Sequence, residues 1–392
     1  MKTKKRLFLC LCVIFLCGLV FVLSGCEMYA TALSSSFKTK TVEGGVAISG
    51  LTDEAKAKES LSLEIPNIIG SKPVIEILDY AFFGCENILS ISIPDSVKKI
   101  GSYAFSDCTR LTEVSVGKNV TSVGTEAFYS CPISRAKIPS SLASHISKES
   151  LQSVTVFGGD LEDWAFAYSK NLKSVSVGDG VTSIGSKAFY DCTRLNTIEL
   201  SPHVEYIDYD AFYSCPVEHA TLPIELLVHI DKKWLKTATV NNGEEIYAGA
   251  FADCKHLTKV NIKASVTSIN NNAFNACVAL REITLPESLV TIGDKVFKNC
   301  SVLKEIKLPK NLKSIGSSAF EYCSELSAIY VPLSVESMGY FAFFNCPSLT
   351  IYCEAKETPD KWAKEWNSDN LPVVWDYLNQ KSSKDTSAST QK

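Results

Sequence analysis

Apolar residues recur along this chain in a pattern that predicts short β-strands. The stretch from Leu111 to Val116 reads L-x-x-V-x-V. Because side chains alternate across a strand, Val114 and Val116 point to one face and the residues between them point to the other. The pattern returns at Leu195–Leu200, Leu257–Ile262, Leu280–Leu285 and Leu303–Leu308. Strands one repeat apart should therefore pair in register as a parallel sheet.

A fixed period organises these strands. An Ala-Phe pair, with Val in place of Ala in one copy, recurs at Phe82, Phe105, Phe128, Phe166, Phe189, Phe212, Phe251, Phe274, Phe297, Phe320 and Phe343. Eight of the ten intervals are 23 residues. A unit this short cannot bury its own apolar face, so the copies must stack on one another. We predict a repeat solenoid with a parallel β-sheet on one face and short turns or helical pieces on the other.

Two longer intervals interrupt the period. They run from Phe128 to Phe166 and from Phe212 to Phe251. Each begins with Cys-Pro and later presents a strand pattern, Leu151–Val156 or Leu235–Val240, without an Ala-Phe pair. Each interval therefore hides one extra coil that has lost its Ala-Phe-x-x-Cys turn. This gives about 13 coils and a duplicated block of about 84 residues.

The repeat resembles a known family. The string from Ile315 to Pro332, Ile-Gly-x-x-Ala-Phe-x-x-Cys-x-x-Leu-x-x-Ile-x-Val-Pro, is similar to the treponemal-type leucine-rich repeat of the BspA-like bacterial surface antigens. The likeness extends from Ile65 to about Trp375. It implies a leucine-rich repeat fold and a role like that of the many members that look like adhesins, which bind host matrix proteins or other bacteria.

The N-terminus has the layout of an exported lipoprotein. Four basic residues precede an apolar run from Leu7 to Leu23, as in a secretory signal peptide. The run ends Leu23-Ser24-Gly25-Cys26, which resembles the lipobox of bacterial lipoproteins. This likeness implies cleavage before Cys26, lipidation of its sulfur and an anchor of several acyl chains. The alternative is an uncleaved anchor that spans the membrane, for which the run is short.

The regions outside the repeats complete the organisation. Trp362, Trp366 and Trp375 follow the last repeat, and we interpret them as a hydrophobic lid, with a ligand site as the alternative. The last residues are polar and have nothing to bury. The predicted parts are a signal peptide (1–25), the lipidated Cys and a tether (26–40), an N-terminal cap (41–80), the repeat array (81–352), a C-terminal cap (353–378) and a disordered tail (379–392).

Charge excludes one class of partner. The full chain has 39 basic and 43 acidic residues, and residues 1–25 carry four of the basic ones and no acidic one. The exported chain would therefore carry 35 basic and 43 acidic residues, a net charge of about −8. A binder of nucleic acid needs clustered Lys and Arg along one face, so we expect no nucleic-acid partner.

The cysteines invite a disulfide or zinc interpretation, but their spacing favours neither. Ten of them occupy the same point of successive coils, and Ser169 replaces an eleventh. A Ser fits a small buried position and does not fit half of a required bridge. Zinc needs four ligands around a tetrahedron, which a straight ladder cannot supply. We expect free thiols packed as small apolar groups, no metal and no cofactor.

No catalytic constellation is evident. The five His residues are scattered, and the motifs of serine hydrolases, zinc proteases and P-loop enzymes are absent from the sequence. His145 and His229 coincide under the 84-residue duplication, which indicates shared ancestry. We predict that the protein is not an enzyme.

Two surfaces are candidates for recognition. The first is the outward strand face, the usual contact surface of a solenoid: Glu113, Ser115, Lys137, Ser176, Glu199, Thr221, Lys259, Asn261, Glu282, Thr284, Glu305, Lys307 and Tyr330. The second is an aromatic ridge made by the residue after the repeated Phe: Tyr129, Tyr190 and Tyr213. Tyrosine suits interfaces, but these rings could instead pack over the neighbouring turn.

The sequence therefore predicts a lipid-anchored protein at the bacterial cell surface that binds a protein or glycan, as an adhesin does. The alternative is a structural lipoprotein of the cell envelope that holds another bacterial protein. Surface proteolysis of intact cells separates the two, since an adhesin should be cut and an inward-facing scaffold should survive.

Overall fold

The computed structural model describes residues 34–263 and 265–380. Its contacts divide the chain into two compact units. Unit 1 comprises the chain up to Leu161 together with Ser169–Leu172, and unit 2 comprises Glu162–Tyr168 together with the chain from Lys173 onward. The signal peptide, Cys26 and the tail beyond Gln380 lie outside the described residues.

Unit 1 is built from short strands with little helix. Its strands are β1 Phe37–Val42, β2 Gly45–Leu51, β3 Leu61–Glu64, β4 Ile68–Ile69, β5 Lys72–Ile77, β6 Ile88–Ile93, β7 Lys99–Ile100, β8 Glu113–Val116, β9 Ser122–Val123, β10 Arg135–Pro139 and β11 Ser153–Phe157. Its helices are α1 Asp53–Lys56 and the 3₁₀ helices Ser34–Ser36 and Ser140–His145. Strands β3, β6, β8, β10 and β11 form one parallel sheet, and β2, β5, β7 and β9 form another. Strand β1 is antiparallel to β2, and β4 is antiparallel to β5.

Unit 2 repeats this arrangement. Its strands are β12 Ser174–Val177, β13 Ser183–Ile184, β14 Thr197–Leu200, β15 Tyr206–Ile207, β16 His219–Pro223, β17 Thr237–Asn242, β18 Glu245–Ile246, β19 Lys259–Ile262, β20 Ser268–Ile269, β21 Glu282–Thr284, β22 Thr291–Ile292, β23 Glu305–Ile306, β24 Ser314–Ile315, β25 Ala328–Val331, β26 Ser337–Met338, β27 Thr350–Cys353 and β28 Val373–Trp375. Two 3₁₀ helices span Ile224–His229 and Lys232–Trp234.

All the strand pairs within unit 2 are parallel among the described residues. One ladder runs through β12, β14, β16, β17, β19 and β21, and a second runs through β23, β25, β27 and β28. The short strands pair separately, β13 with β15 and β18 through β20, β22 and β24 to β26. The predicted repeat fold with its parallel sheet is therefore confirmed. The described residues form about 14 turns, close to the predicted 13. Strands β3 and β28 extend the ladders by pairing with β6 and β27.

The repeated phenylalanines form the core of each unit. In unit 2 the Phe274 ring stacks between the rings of Phe251 and Phe297, with centroids 5.0 and 5.5 Å away. In unit 1 the Phe105 ring stacks on those of Phe82 and Phe128 at 4.9 and 5.1 Å. All six side chains are buried, and burying one Phe contributes about 1.5–3 kcal/mol. Each coil thus covers the apolar ring of the next.

The turns that carry these phenylalanines have a recurring backbone. Two left-handed residues flank each Phe at positions −2 and +2, as at Tyr103 (φ 55°) and Asp107 (φ 59°) around Phe105. The N–H groups of these three residues donate to the carbonyls of Thr125, Ala127 and Tyr129 in the next coil, at 2.9, 2.8 and 2.9 Å. Each Ala-Phe turn that is followed by another such turn is therefore bonded to it by alternate N–H groups.

The cysteine ladder is buried and participates in this stack. The described cysteines are all free thiols. A thiol donates to the carbonyl of the Phe 26 residues earlier, as from Cys277 to Phe251 at 3.1 Å and from Cys346 to Phe320 at 3.0 Å. These contacts explain why the position takes Cys: the side chain is small, and its S–H is a weak donor.

The ends of the array differ from the predicted boundaries in one respect. Strand β1 begins at Phe37, before residue 41, where the sequence placed the start of the cap. Phe37 is buried and meets Phe82 edge-on at 6.3 Å, so this single apolar residue among Ser and Lys belongs to the fold and not to a tether. At the other end Trp366 packs edge-on against Phe343 at 6.2 Å. No helix in the described part of the chain is long and apolar enough to cross a membrane.

Candidate functional site

The strand face of unit 1 is shallow and polar. Glu113 pairs in register with Arg135, and Ser115 pairs with Lys137. The Arg135 guanidinium forms an ion pair with the Glu113 carboxylate. A cavity of about 390 Å³ lies over this face, and its lining includes the small side chains of Ser90, Ser92, Ser115, Ser153 and Thr155. The predicted residues Glu113, Ser115 and Lys137 are thus brought together, with two exposed cations beside one carboxylate.

In unit 2 the register places the predicted residues in rows. Ser176 pairs with Glu199, which pairs with Thr221, and Asn261 pairs with Thr284 further along the ladder. In the adjacent row Lys259 pairs with Glu282, and their side chains form an ion pair at 2.7 Å. Because both charges are exposed, this pair contributes at most about 1 kcal/mol.

The C-terminal end of the strand face of unit 2 has a larger cavity. A cavity of about 690 Å³ brings together five predicted residues, Glu282, Thr284, Glu305, Lys307 and Tyr330. Tyr330 is half exposed. The cavity also takes in charged and apolar residues that were not predicted: Arg281, Lys310, Glu287, Glu354, Leu308 and Tyr377. Acidic and basic side chains lie around the tyrosines on one side of the cavity. Many protein interfaces likewise have a polar rim around an aromatic core.

The aromatic side is a cluster of three tyrosines. The Tyr330 ring stacks on Tyr352 at 4.9 Å and lies 5.4 Å from Tyr377, which meets Tyr352 edge-on at 6.1 Å. Burial raises the pKa of Tyr377, with smaller contributions from Glu354 and Tyr330. Tyr352 and Tyr377 were not among the residues predicted from the sequence. Tyr352 pairs with Tyr330 in the ladder at a spacing of 22 instead of 23 residues, and Tyr377 lies beyond the repeats.

The aromatic ridge is partly assembled. In unit 2 the Tyr190 and Tyr213 rings stack at 5.1 Å, as expected if the rings pack over the neighbouring turn. Tyr213 nevertheless stays more than half exposed. Trp164 and Tyr168 extend this group, and the Lys187 ammonium lies 4.7 Å from the centroid of Trp164. Tyr129 is in unit 1, where it is also exposed and lines a separate cavity.

Catalytic or metal-binding chemistry has no support in the described residues. No group of three or more His, Cys, Asp or Glu side chains there is arranged to hold a metal ion. Burial lowers the pKa of His145 and of His229, so both imidazoles favour the neutral form. His219 Nδ1 lies 2.8 Å from the Thr237 hydroxyl. Glu218 Oε2 lies 3.9 Å from His219 Nε2, beyond hydrogen-bond distance, and pairs with the Lys236 ammonium at 2.9 Å. This acid therefore does not orient the imidazole as a general base.

The repeat itself decides the family. A model described as the BspA type leucine-rich repeat region matches residues 61–156, 159–242 and 244–358. The chain belongs to the BspA-type leucine-rich repeat family. The matched segments cover most of the described residues, including both strand faces and the ridge. No curated protein matches the chain.

Solved structures of bacterial leucine-rich repeat proteins resemble this BspA-type chain. A leucine-rich repeat protein of Bacteroides ovatus is 22% identical over 87% of this chain and 98% of its own, with a TM-score of 0.39. A leucine-rich cell surface protein of Faecalibacterium prausnitzii is 24% identical over 88% and 96%, with a TM-score of 0.30. The pneumococcal vaccine antigen PcpA is 19% identical over 86% and 96%, with a TM-score of 0.31.

Proposed function

We propose that this BspA-type protein is a lipid-anchored, adhesin-like protein of the bacterial cell surface, which binds a partner protein through the C-terminal strand face of unit 2. The observation that carries the proposal is the cavity of about 690 Å³ beside the Tyr330, Tyr352 and Tyr377 cluster. We call this surface the tyrosine face. The partner class includes host matrix proteins and proteins of other bacteria.

The composition of the tyrosine face favours a protein partner. Tyrosine and arginine are enriched at the centres of protein interfaces, where a few residues contribute most of the binding energy. Tyr330 and Arg281 are exposed side chains of this kind, and Leu333, which is 69% exposed, lies close by in sequence. The acidic and basic side chains of the cavity would pair with a rim of mixed charge.

Binding can be tested directly on the purified protein with immobilised extracellular matrix proteins. Tyr330→Ala should weaken binding at least about tenfold, as expected for a central aromatic residue. Tyr206→Ala is the matched control, since Tyr206 is similarly exposed on the short strand β15. Equal binding by the Tyr330→Ala variant and the unaltered protein would contradict the proposed face.

The anchor and the location need separate tests. The residue proposed for lipidation is Cys26, and Cys26→Ser should abolish incorporation of labelled fatty acid and release the protein from the membrane fraction. Protease added to intact cells should cut a surface-displayed protein. If the protein survives while remaining lipidated, the scaffold alternative, an envelope lipoprotein that holds another bacterial protein, replaces the adhesin.

A further inference from the structure

Two coils inside the array lack the Ala-Phe turn through which most coils bond their neighbours. In unit 1 the step from β10 to β11 pairs Arg135 with Ser153, and in unit 2 the step from β16 to β17 pairs His219 with Thr237. Each step is 18 residues, compared with 22 or 23 in most others. The 3₁₀ helices Ser140–His145 and Ile224–His229 stand in place of the missing Ala-Phe turns.

The missing turn leaves backbone donors without acceptors. In the preceding coil of unit 2, Phe189 and Asp191 donate their N–H groups to the carbonyls of Ala211 and Tyr213 at 2.8 and 2.9 Å. The equivalent N–H groups one coil later, on Phe212 and Ser214, have no acceptor in the described part of the chain. Phe212 is only 2% exposed. Because nearly all buried N–H groups are bonded, such a donor indicates a site for a missing acceptor.

Unit 1 contains the same feature. Its equivalent donors, the N–H groups of Phe128 and Ser130, also find no acceptor among residues 34–263 and 265–380. The C-terminal end of the array closes such a turn in part, since the Phe343 N–H has no acceptor in the described part of the chain but its two neighbouring donors do. There the Asn345 N–H donates to the Asp369 carboxylate at 2.6 Å, and the Phe341 N–H donates to the Glu365 carbonyl at 3.0 Å.

An open slot lies beside each set of donors. In unit 2 a cavity of about 850 Å³ borders Phe212 and Ser214 and is walled by Tyr213, Val228 and Trp234. Tyr213 and Trp234 are 55% and 46% exposed. In the following coil the Ala250 carbonyl, which would accept from the missing turn, is instead bonded by the Lys232 ammonium at 2.7 Å. The Ala250 carbonyl on one side of the missing turn is thus already bonded, whereas the N–H groups of Phe212 and Ser214 on the other side are not.

The chemistry of this slot favours one class of ligand. Asp210 and Asp231 line it, and the Asp231 carboxylate is already paired with Lys233 at 2.6 Å. The remaining negative charge disfavours a phosphate or another anion at the N–H groups. Partial burial lowers the pKa of His229, against an opposing effect of Asp208, so this imidazole does not supply a cation. A neutral acceptor such as a peptide carbonyl fits the donors best.

The spacing of the donors points the same way. They belong to alternate residues, and in the complete coils carbonyls of alternate residues of another polypeptide turn meet them. Recognition of an extended segment by such a row of main-chain groups is a common mode of peptide binding. We propose that the slot of unit 2 binds a peptide segment of a partner protein, one without acidic residues, whose carbonyls accept from Phe212 and Ser214 and whose apolar side chain packs between Tyr213 and Trp234. This site is separate from the tyrosine face and stands or falls independently of it.

The proposal can be tested with a phage-displayed library of random linear peptides panned on the full protein. Enriched peptides should protect the amides of Phe212 and Ser214 from hydrogen exchange. Tyr213→Ala and Trp234→Ala should each weaken their binding at least about tenfold. Tyr206→Ala is the matched control and should leave the affinity unchanged, because Tyr206 is 56% exposed and does not line the slot.

Three results would overturn the proposal. One is the absence of any enriched peptide that protects these amides. Another is binding that persists in both the Tyr213→Ala and the Trp234→Ala variants. The third is protection of the same amides by neutral oligosaccharides, added as a panel in parallel, with none by peptides, which would assign the slot to glycans. Loss of matrix-protein binding in Tyr330→Ala has no bearing on these outcomes.

Discussion

The two slots have the same backbone origin but different walls. Both follow a lost Ala-Phe turn, and both keep a tyrosine and a histidine at equivalent places, Tyr129 and His145 in unit 1 and Tyr213 and His229 in unit 2. The positions of Trp234 and Asp231 in unit 2 correspond to Ser150 and Ser147 in unit 1 under the 84-residue duplication. The cavity in unit 1 is also smaller, about 490 Å³.

This difference separates what the scaffold provides from what the side chains provide. Loss of the turn leaves unsatisfied N–H groups in both units, so the ability to donate hydrogen bonds to a ligand carbonyl follows from the loss alone. Only unit 2 adds a tryptophan wall, and large aromatic side chains contribute most of the energy at binding sites. We therefore expect selective peptide binding in unit 2 and little in unit 1.

The largest expected effect concerns the ring stack beside each slot. Phe128→Ala and Phe212→Ala should each lower the free energy of unfolding by about 3–5 kcal/mol, because each removes a buried ring and leaves a cavity. Urea denaturation monitored by circular dichroism measures the loss. Since each ring stacks on one Phe, at 5.1 Å in both units, the two losses should be similar. A loss in only one variant would contradict the equivalence of the slots.

The next effect is a difference in alkaline stability along the cysteine ladder of unit 2. Burial raises the pKa of Cys254, which follows the slot, from 9.0 to about 11, with Lys232 lowering it and Asp253 raising it less strongly. Burial raises the pKa of Cys277, one coil later, further still. Because the folded state holds this proton longer than the unfolded chain, the contribution of Cys254 is complete below pH 9 and is lost as the pH rises through 11.

The loss should amount to about 1.4 kcal/mol per pH unit for this thiol between its unfolded and folded pKa values. Urea denaturation at a series of pH values above 8 measures it, and Cys254→Ser should reduce the slope between pH 9 and 11. Cys254 should also react with a thiol reagent at lower pH than Cys277. A faster reaction at Cys277 would contradict the assigned order.

A transfer of side chains sharpens the comparison between the slots. Ser147→Asp combined with Ser150→Trp gives the unit 1 slot the wall that unit 2 has. Peptides enriched on the unit 2 slot should then bind unit 1 about tenfold more tightly than before and protect the Phe128 amide from exchange. The same substitutions should leave protection at Phe212 unchanged. If the double variant folds and binds no better, the walls do not determine selectivity.

The smallest effect tests the acceptor side of the unit 2 slot. Lys232→Met removes the donor to the Ala250 carbonyl and should cost about 1 kcal/mol of unfolding free energy. Lys233→Met is the neighbouring control. Its ammonium pairs with Asp231 in an exposed position, so its loss should lie near the limit of measurement. Equal effects in the two variants would remove the structural role assigned to Lys232.

Much of the fold could be predicted from the sequence, because the apolar residues of each repeat recur at a fixed spacing. The Leu-x-x-Ile-x-Leu strands, the buried phenylalanines and the two turnless coils were all predicted, since each depends on the spacing of apolar residues. Phe37 was missed, because one aromatic residue among polar neighbours carries no period. The left-handed residues that flank each Phe were also missed: their identities range from Tyr103 to Asp107 and Ala276, so no residue type marks them.

The candidate sites were less predictable. Alternation placed Glu282, Lys307 and Tyr330 on the outward face, but it could not show that they border one cavity. A one-residue shift of the repeat concealed Tyr352, although aligning the last two coils on their Ile-Tyr pairs, Ile329-Tyr330 and Ile351-Tyr352, would have revealed it. The unsatisfied donors at Phe212 could not be found from residue types at all, because they are backbone groups whose acceptors are missing.

The most direct test is amide hydrogen exchange at single-residue resolution on the free protein. Phe189 and Phe212 occupy the same place in adjacent turns of unit 2 and have equally buried rings, but only the Phe189 N–H is bonded to the next coil. Phe212 should exchange at least about 100-fold faster than Phe189, and Phe128 should likewise exchange faster than Phe105. Equal protection within each pair would mean that the donors are already satisfied and that neither slot is open.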